Sequence, residues 1–113
     1  MSQTTHCAVA AAAMLVSAGA AHGEMFESGN TMLPACQDYI SRTSLEMLSK
    51  QGQCFGIAQA LVFASRFICA PEGSRVGQDV RIIIRFLEEH PERLHESFLR
   101  LADEALKTAW PCR

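Results

Sequence analysis

Apolar positions recur at helical spacing along most of the chain, most regularly after residue 75. Val76, Val80, Ile83, Ile84 and Leu87 follow an i, i+4, i+7, i+8, i+11 rhythm, which puts all five on one face of a helix. Ile82 and Phe86 widen that face. The run from Arg81 to Phe86 is rich in β-branched side chains and has an alternative reading as a buried strand. Its continuation through Leu87-Glu88-Glu89 and the lack of partner strands favour helix. His90-Pro91 stops the pattern, because the proline ring disfavours helical geometry in the residue before it. Pro91 then suits the first position of a following helix, where its missing N–H does no harm, and Glu92 falls in that first turn. Leu94, Phe98, Leu101, Ala105 and Thr108 track one face of this last helix as far as Trp110-Pro111-Cys112.

Upstream the rhythm is weaker. Cys54–Ile68 carries Ile57, Leu61, Ala64 and Ile68 at helical spacing, with Phe63 and Phe67 beside them, and Ala70-Pro71-Glu72-Gly73 breaks it. Gly29-Asn30 gives a capping signal ahead of Met32, Leu33, Cys36, Tyr39 and Ile40, with Pro34 acceptable only in an opening turn. Ser41–Ser44 reads as a break and Leu45–Leu48 as a further turn. No element reads convincingly as a strand. The expectation is an all-α, small four-helix domain.

The N-terminus differs in kind. Residues 1–23 contain no Asp, Glu, Lys or Arg, and Ala8–Ala21 is a continuous run of apolar and small residues. As a helix it spans about 21 Å, short of the roughly 30 Å of a bilayer core. It matches instead the apolar region of a cleavable secretory signal peptide. Ala18-Gly19-Ala20 and Ala21-His22-Gly23 are both small-residue cleavage sequences. Residues 1–23 are therefore read as a signal peptide cut after Ala20 or Gly23, and 24–113 as a single domain. The initial MSQTTHC has no basic residue, which is atypical of a signal, and a buried alanine-rich helix of a cytosolic protein is the competing reading. No small-residue-plus-cysteine lipidation site follows.

Export makes sense of the cysteines. Cys7 lies inside the leader, and its removal leaves Cys36, Cys54, Cys69 and Cys112, an even set with three possible pairings. Four cysteines in so short a domain suit an oxidising compartment such as the periplasm. Short connections make sequential helices antiparallel neighbours. Cys69 then ends one helix close to where the next begins, and the last helix returns Cys112 to that same end. Cys69–Cys112 follows, leaving Cys36–Cys54 to join the first two helices. One unbroken helix over residues 34–50 would hold Cys36 about 21 Å from its far end and defeat that pairing. Chain-entropy arguments give roughly 3 kcal/mol for the shorter loop and roughly 4 for the longer, against a typical total stability of about 5–15.

Composition removes several function classes. Ten Lys and Arg against twelve Asp and Glu give a net charge of −2, without the clustered basic excess of a nucleic-acid module. One Trp, one Tyr and six Phe are too few for a base-stacking platform. With 49% apolar and 19% charged residues the domain can build a core, which argues against bulk disorder. A zinc site is disfavoured, since no C-x-x-C pair exists and His90 and His95 flank Pro91 on no common helix face. Catalysis is disfavoured too. There is no G-x-S-x-G turn and no glycine-rich phosphate loop, and the thiols are committed to disulfides. His90 reads as a turn residue bonding locally and His95 as part of a solvated face. No cofactor is expected.

One ordered series of short motifs runs through the domain: Gly29-Asn30-x-x-Leu33-x-x-Cys36, Cys54-x-Gly56, Phe67-Ile68-Cys69-x-Pro71-x-Gly73, Gly77-Gln78, Phe86-Leu87-x-x-His90-Pro91 and Ala105-Leu106-x-x-Ala109-Trp110-Pro111-Cys112. The series covers residues 28–112 and resembles the Rap/Tai family of periplasmic immunity proteins associated with type VI secretion. Where that family usually follows Cys-x-Gly with Tyr, and with Gly three positions later, this chain has Ile57 and Ala60. The resemblance implies a small, secreted, helical, disulfide-bonded protein, often a homodimer. Characterised members bind a peptidoglycan amidase delivered by the secretion system and block its active-site cleft.

The leading expectation is therefore a non-catalytic periplasmic binding protein that neutralises an amidase, with no nucleic-acid partner and no membrane attachment once the leader is gone. Alternatives are a small acid-stress periplasmic chaperone, whose histidines and carboxylates would charge it strongly at low pH, and a structural or adaptor subunit. Arg81, Arg85, Glu88, Glu89 and Glu92, with Arg93, read as a solvated face with helix-spaced ion pairs worth tenths of a kcal/mol each. The competing reading makes Arg81, Arg85, Glu88, Glu89, His90 and Glu92 the partner surface.

Overall fold

Four α-helices build the domain: α1 (Gly29–Ser41), α2 (Leu48–Ala64), α3 (Val76–Glu89) and α4 (Phe98–Ala109), with a 3₁₀ turn at Pro91–Arg93. The computed structural model describes residues 27–42 and 45–113; the expected leader and its cleavage sites lie outside the described residues. Among the described residues there is no strand, only two isolated bridges joining Ser28 to Ser97 and Ile68 to Pro111. The all-α expectation holds. No helix among the described residues is long and apolar enough to cross a membrane.

The start of α1 is fastened to the segment between α3 and α4. The Gly29 N–H donates to the Glu96 carbonyl (3.0 Å) and the Asn30 N–H to that of Leu94 (2.8 Å), while the Phe98 N–H donates to the Glu27 carbonyl (2.8 Å). A Cβ at Gly29 would stand 2.9 Å from Leu101 Cδ1 and 3.0 Å from the Leu94 oxygen, so only glycine lets the strands of chain approach this closely. The cap itself is Ser28, one residue before the expected Gly29-Asn30 signal; its hydroxyl accepts from the Thr31 N–H. At the other end Arg42 takes a left-handed conformation (φ 55°) and donates its N–H to the Asp38 carbonyl, closing α1 where the Ser41–Ser44 break was expected.

Three helix boundaries move from their expected places. α2 begins at Leu48, well before Cys54, because no proline lies between 48 and 53, a single Gly52 is tolerated, and Lys50 is tied to Glu27 by a 2.7 Å ion pair. It ends at Ala64, before Ile68, because Ile68 bridges Pro111 and the Cys69 N–H donates to the Trp110 carbonyl (2.9 Å). Tertiary pairing takes those residues from the helix. Pro91 opens only the 3₁₀ turn, and α4 starts at Phe98. The carbonyls of Leu94 and Glu96 are used by α1, so they cannot serve an uninterrupted helix. Glu92 therefore lies in the first turn of the 3₁₀ segment, outside α4.

The core sits where all four helices meet. Met32, Ala35 and Cys36 of α1 face Cys54 and Ala58 of α2, Val80, Ile83 and Leu87 of α3, and Phe98, Leu101, Ala102 and Leu106 of α4, all fully buried. Cys36 is bonded to Cys54 (Cα–Cα 5.5 Å) inside this core, whereas Cys69–Cys112 (5.0 Å) lies on the surface and ties the end of the chain to the α2–α3 connection. The internal disulfide fixes which way α2 faces. Gln51, Cys54 and Ala58 turn inward, and the expected core stripe Ile57, Leu61 and Ala64 is rotated to the flank, half-buried or exposed.

Candidate partner-binding surface

Two exposed faces of this body differ in chemistry. The first is the ridge of α3. Burial of Val80, Ile83 and Leu87 turns Arg81, Arg85 and Glu88 to solvent, and Glu89 and Glu92 lie beside them, exposed. Helical spacing brings Arg81, Arg85 and Glu88 to one side of α3, whereas Glu92 stands beyond the helix on the 3₁₀ turn. The expected ion pairs among them do not form among the described residues. Glu88 instead accepts from Gln37 Nε2 of α1 (3.1 Å). Arg85 and Glu89 flank a shallow groove of about 210 Å³, whose apolar floor is Ile82, Phe86, Ala105 and Ala109.

The corner that ends this ridge is rigid. His90 is half-buried, its Nδ1 lies 2.7 Å from the Phe86 carbonyl oxygen, and its ring stacks on Phe86 at 4.2 Å. The local bonding expected of a turn histidine is present. Arg93 has turned away from the ridge and reaches α4. It donates to both oxygens of Glu104 (2.9 and 2.7 Å) and of Glu96 (2.7 and 3.1 Å), with its guanidinium over the Phe86 ring at 5.7 Å. These hydrogen bonds push the Arg93 pKa up and hold the Glu96 and Glu104 carboxyls below their usual range.

The second face is the outside of α2. Gly52, Gly56, Ala60 and Ala64 recur every four residues along it, all exposed, and Phe63 beside them is 92% exposed. On the flank toward α4, Gly56, Ile57, Ala60, Leu61 and Ala64 with Leu99 line an apolar groove of about 430 Å³. On the opposite flank, toward the start of α3, lies a pocket of about 380 Å³ lined by Gln59, Val62, Phe63, Ser74, Val76 and Asp79. Asp79 is buried, its Oδ1 receives no hydrogen bond, and burial pushes its carboxyl pKa up. Sequence reasoning passed over both features. Two signals were present: small residues at fixed spacing of four, and an aspartate within the apolar stripe that runs from Val76 to Ile83.

Among the described residues no group of three or more His, Cys, Asp and Glu side chains is arranged to hold a metal ion. Comparison with known proteins then decides the family. The sequence model of the Rap1a immunity proteins matches residues 28–112, from the cap of α1 through the second cysteine of the outer disulfide. This chain belongs to the Rap1a immunity proteins. No curated protein and no solved structure gave a match. A Rap1a immunity protein is an immunity-type protein that binds a protein effector, and its family is generally non-catalytic.

Proposed function

We propose that this immunity protein acts in the periplasm and neutralises a peptidoglycan amidase delivered by a type VI secretion system, by filling the enzyme's substrate cleft. The single observation that carries this reading is the family match over the whole four-helix domain. Two disulfides support it. A body held in one shape loses little further freedom on docking, so more of the contact energy is left as affinity. Inhibition of this kind needs no reacting group.

The ridge and corner formed by Arg81, Arg85, Glu88, Glu89, His90 and Glu92 are the proposed contact with the effector. Their charges of both signs stand on a stiff helix, which suits steering and register on a complementary enzyme surface. The groove flank of α2 is the proposed homodimer contact. Lys50 is the only charged residue of α2, and its exposed glycines and alanines allow two identical helices to approach closely. The test is to mix the oxidised, leader-free protein with a panel of peptidoglycan amidases and follow release of cleaved peptide stems. Stoichiometric inhibition of one amidase is expected; binding to none of them removes the amidase assignment. Light scattering of the same preparation checks the dimer, which is withdrawn if the mass is that of one chain.

A further inference from the structure

The pocket between α2 and the start of α3 contains a buried carboxyl group with one oxygen left without a hydrogen-bond donor. Asp79 is 4% exposed, and its Oδ1 is sealed from solvent with no hydrogen-bond donor among the described residues. A buried carboxylate oxygen in this condition is costly, and among the described residues Asp79 forms no ion pair. Yet Asp79 also lines an open pocket, so a small rotation of its carboxyl meets a donor arriving from outside. The remaining walls define what fits. Val62 and Val76 are apolar, Ser74 and Gln59 are polar, and the Phe63 ring stands at the rim, almost wholly exposed. A carboxylate at depth, aliphatic walls above it and an aromatic face at the mouth together suit a cation carried on a methylene stem.

We propose that this pocket receives a single lysine or arginine side chain projecting from the bound effector. The identity of the partner chain rests on the effector reading given above; the chemistry of the pocket does not. A cation at this point supplies the missing hydrogen bond and balances the charge together, whereas a neutral donor would supply only the first. A protein is the favoured source because Phe63 stands exposed on the α2 flank opposite the proposed homodimer groove, so one docking event would cover the ring and fill the pocket beside it.

The experiment uses the oxidised protein and small probes, with no effector present. N-acetyl-lysine N-methylamide is titrated while NMR follows the Asp79 carboxyl carbon and the amides of Ser74 and Val76. Saturable shifts at these positions are expected, together with no saturable response to the neutral norleucine analogue. Asp79→Asn, which keeps the side chain's shape, is expected to weaken binding by at least about tenfold. Phe63→Ser, at an exposed position, is expected to weaken it severalfold while leaving the fold intact. Equal binding of the lysine and norleucine probes overturns the proposal, as does an Asp79→Asn variant that binds as the parent does. Saturation by spermidine without any response to the lysine amide overturns the side-chain source. Failure of every amidase in the panel would remove the amidase assignment and leave this titration untouched.

Discussion

α2 and α3 are adjacent helices of similar length, and they are held in opposite ways. α3 places Val80, Ile83 and Leu87 in the core and turns its charges outward, so its own sequence pattern fixes its orientation. α2 is apolar on nearly every side, and of its 17 residues only Gln51, Cys54 and Ala58 are buried. Hydrophobicity therefore does not tell α2 which way to face. The bond from Cys54 to Cys36 does, assisted by Lys50–Glu27 at one end. The lesson is that a helix oriented by a covalent link can leave apolar residues on its outer side, where they serve contacts beyond the fold.

Substitutions can break or sharpen this contrast. The largest effect is expected from Leu87→Ala on α3, at about 2–5 kcal/mol in chemical denaturation, because the site is sealed and cannot collapse fully. If Leu61→Ala on the half-buried flank of α2 costs as much, the contrast fails. Replacing Cys36 and Cys54 together by alanine should cost about 3 kcal/mol and loosen α2 before α3, as read by amide exchange. Gly29→Ala should cost about 1–3 kcal/mol, because Leu101 and the Leu94 carbonyl must both move to admit one methyl group. Smallest of all, Arg85→Glu on the exposed ridge should change stability by less than about 0.5 kcal/mol. The same change should slow effector association severalfold, by surface plasmon resonance; an unchanged on-rate would remove Arg85 from the contact.

Acid separates two sets of carboxyl groups. Glu96 and Glu104 are held below their usual range by Arg93, so the stability they contribute is full at neutral pH and is lost as the pH falls through their lowered values. Asp79 has the reverse sign. Its raised value means that ionisation weakens the fold, a cost absent below its ordinary value of 3.8 and growing as the pH rises through its folded one. Asp79→Asn should therefore melt higher than the parent at pH 7, with the advantage vanishing toward pH 3. A variant that melts no higher at neutral pH would show that the carboxylate is already satisfied.

Much of the fold was legible because its helices obey simple spacing. The stripe from Val76 to Leu87 gave α3 almost to the residue, and His90-Pro91 marked its end. The start of α4 was not legible, because the carbonyls of Leu94 and Glu96 are taken by α1, a segment distant in sequence. The end of α2 was missed for the same kind of reason, since Ile68 and Cys69 leave the helical pattern to pair with residues near Trp110. At the candidate surfaces, the exposure of Arg81, Arg85 and Glu88 follows directly from the stripe opposite them. The uncovered face of α2 does not, because Ile57, Leu61 and Phe63 look like core residues until the inner disulfide sets their direction.

The placement of the two staples also sets a timetable for a chain that emerges amino end first. The inner ring can close once residue 54 and the rest of α2 are available, before α3 and α4 are present. The outer ring must wait for residue 112, when α3 and α4 are already present to be gathered in. Oxidation in that order favours the two correct rings over crossed ones, because Cys36 has already found its mate before the later thiols appear.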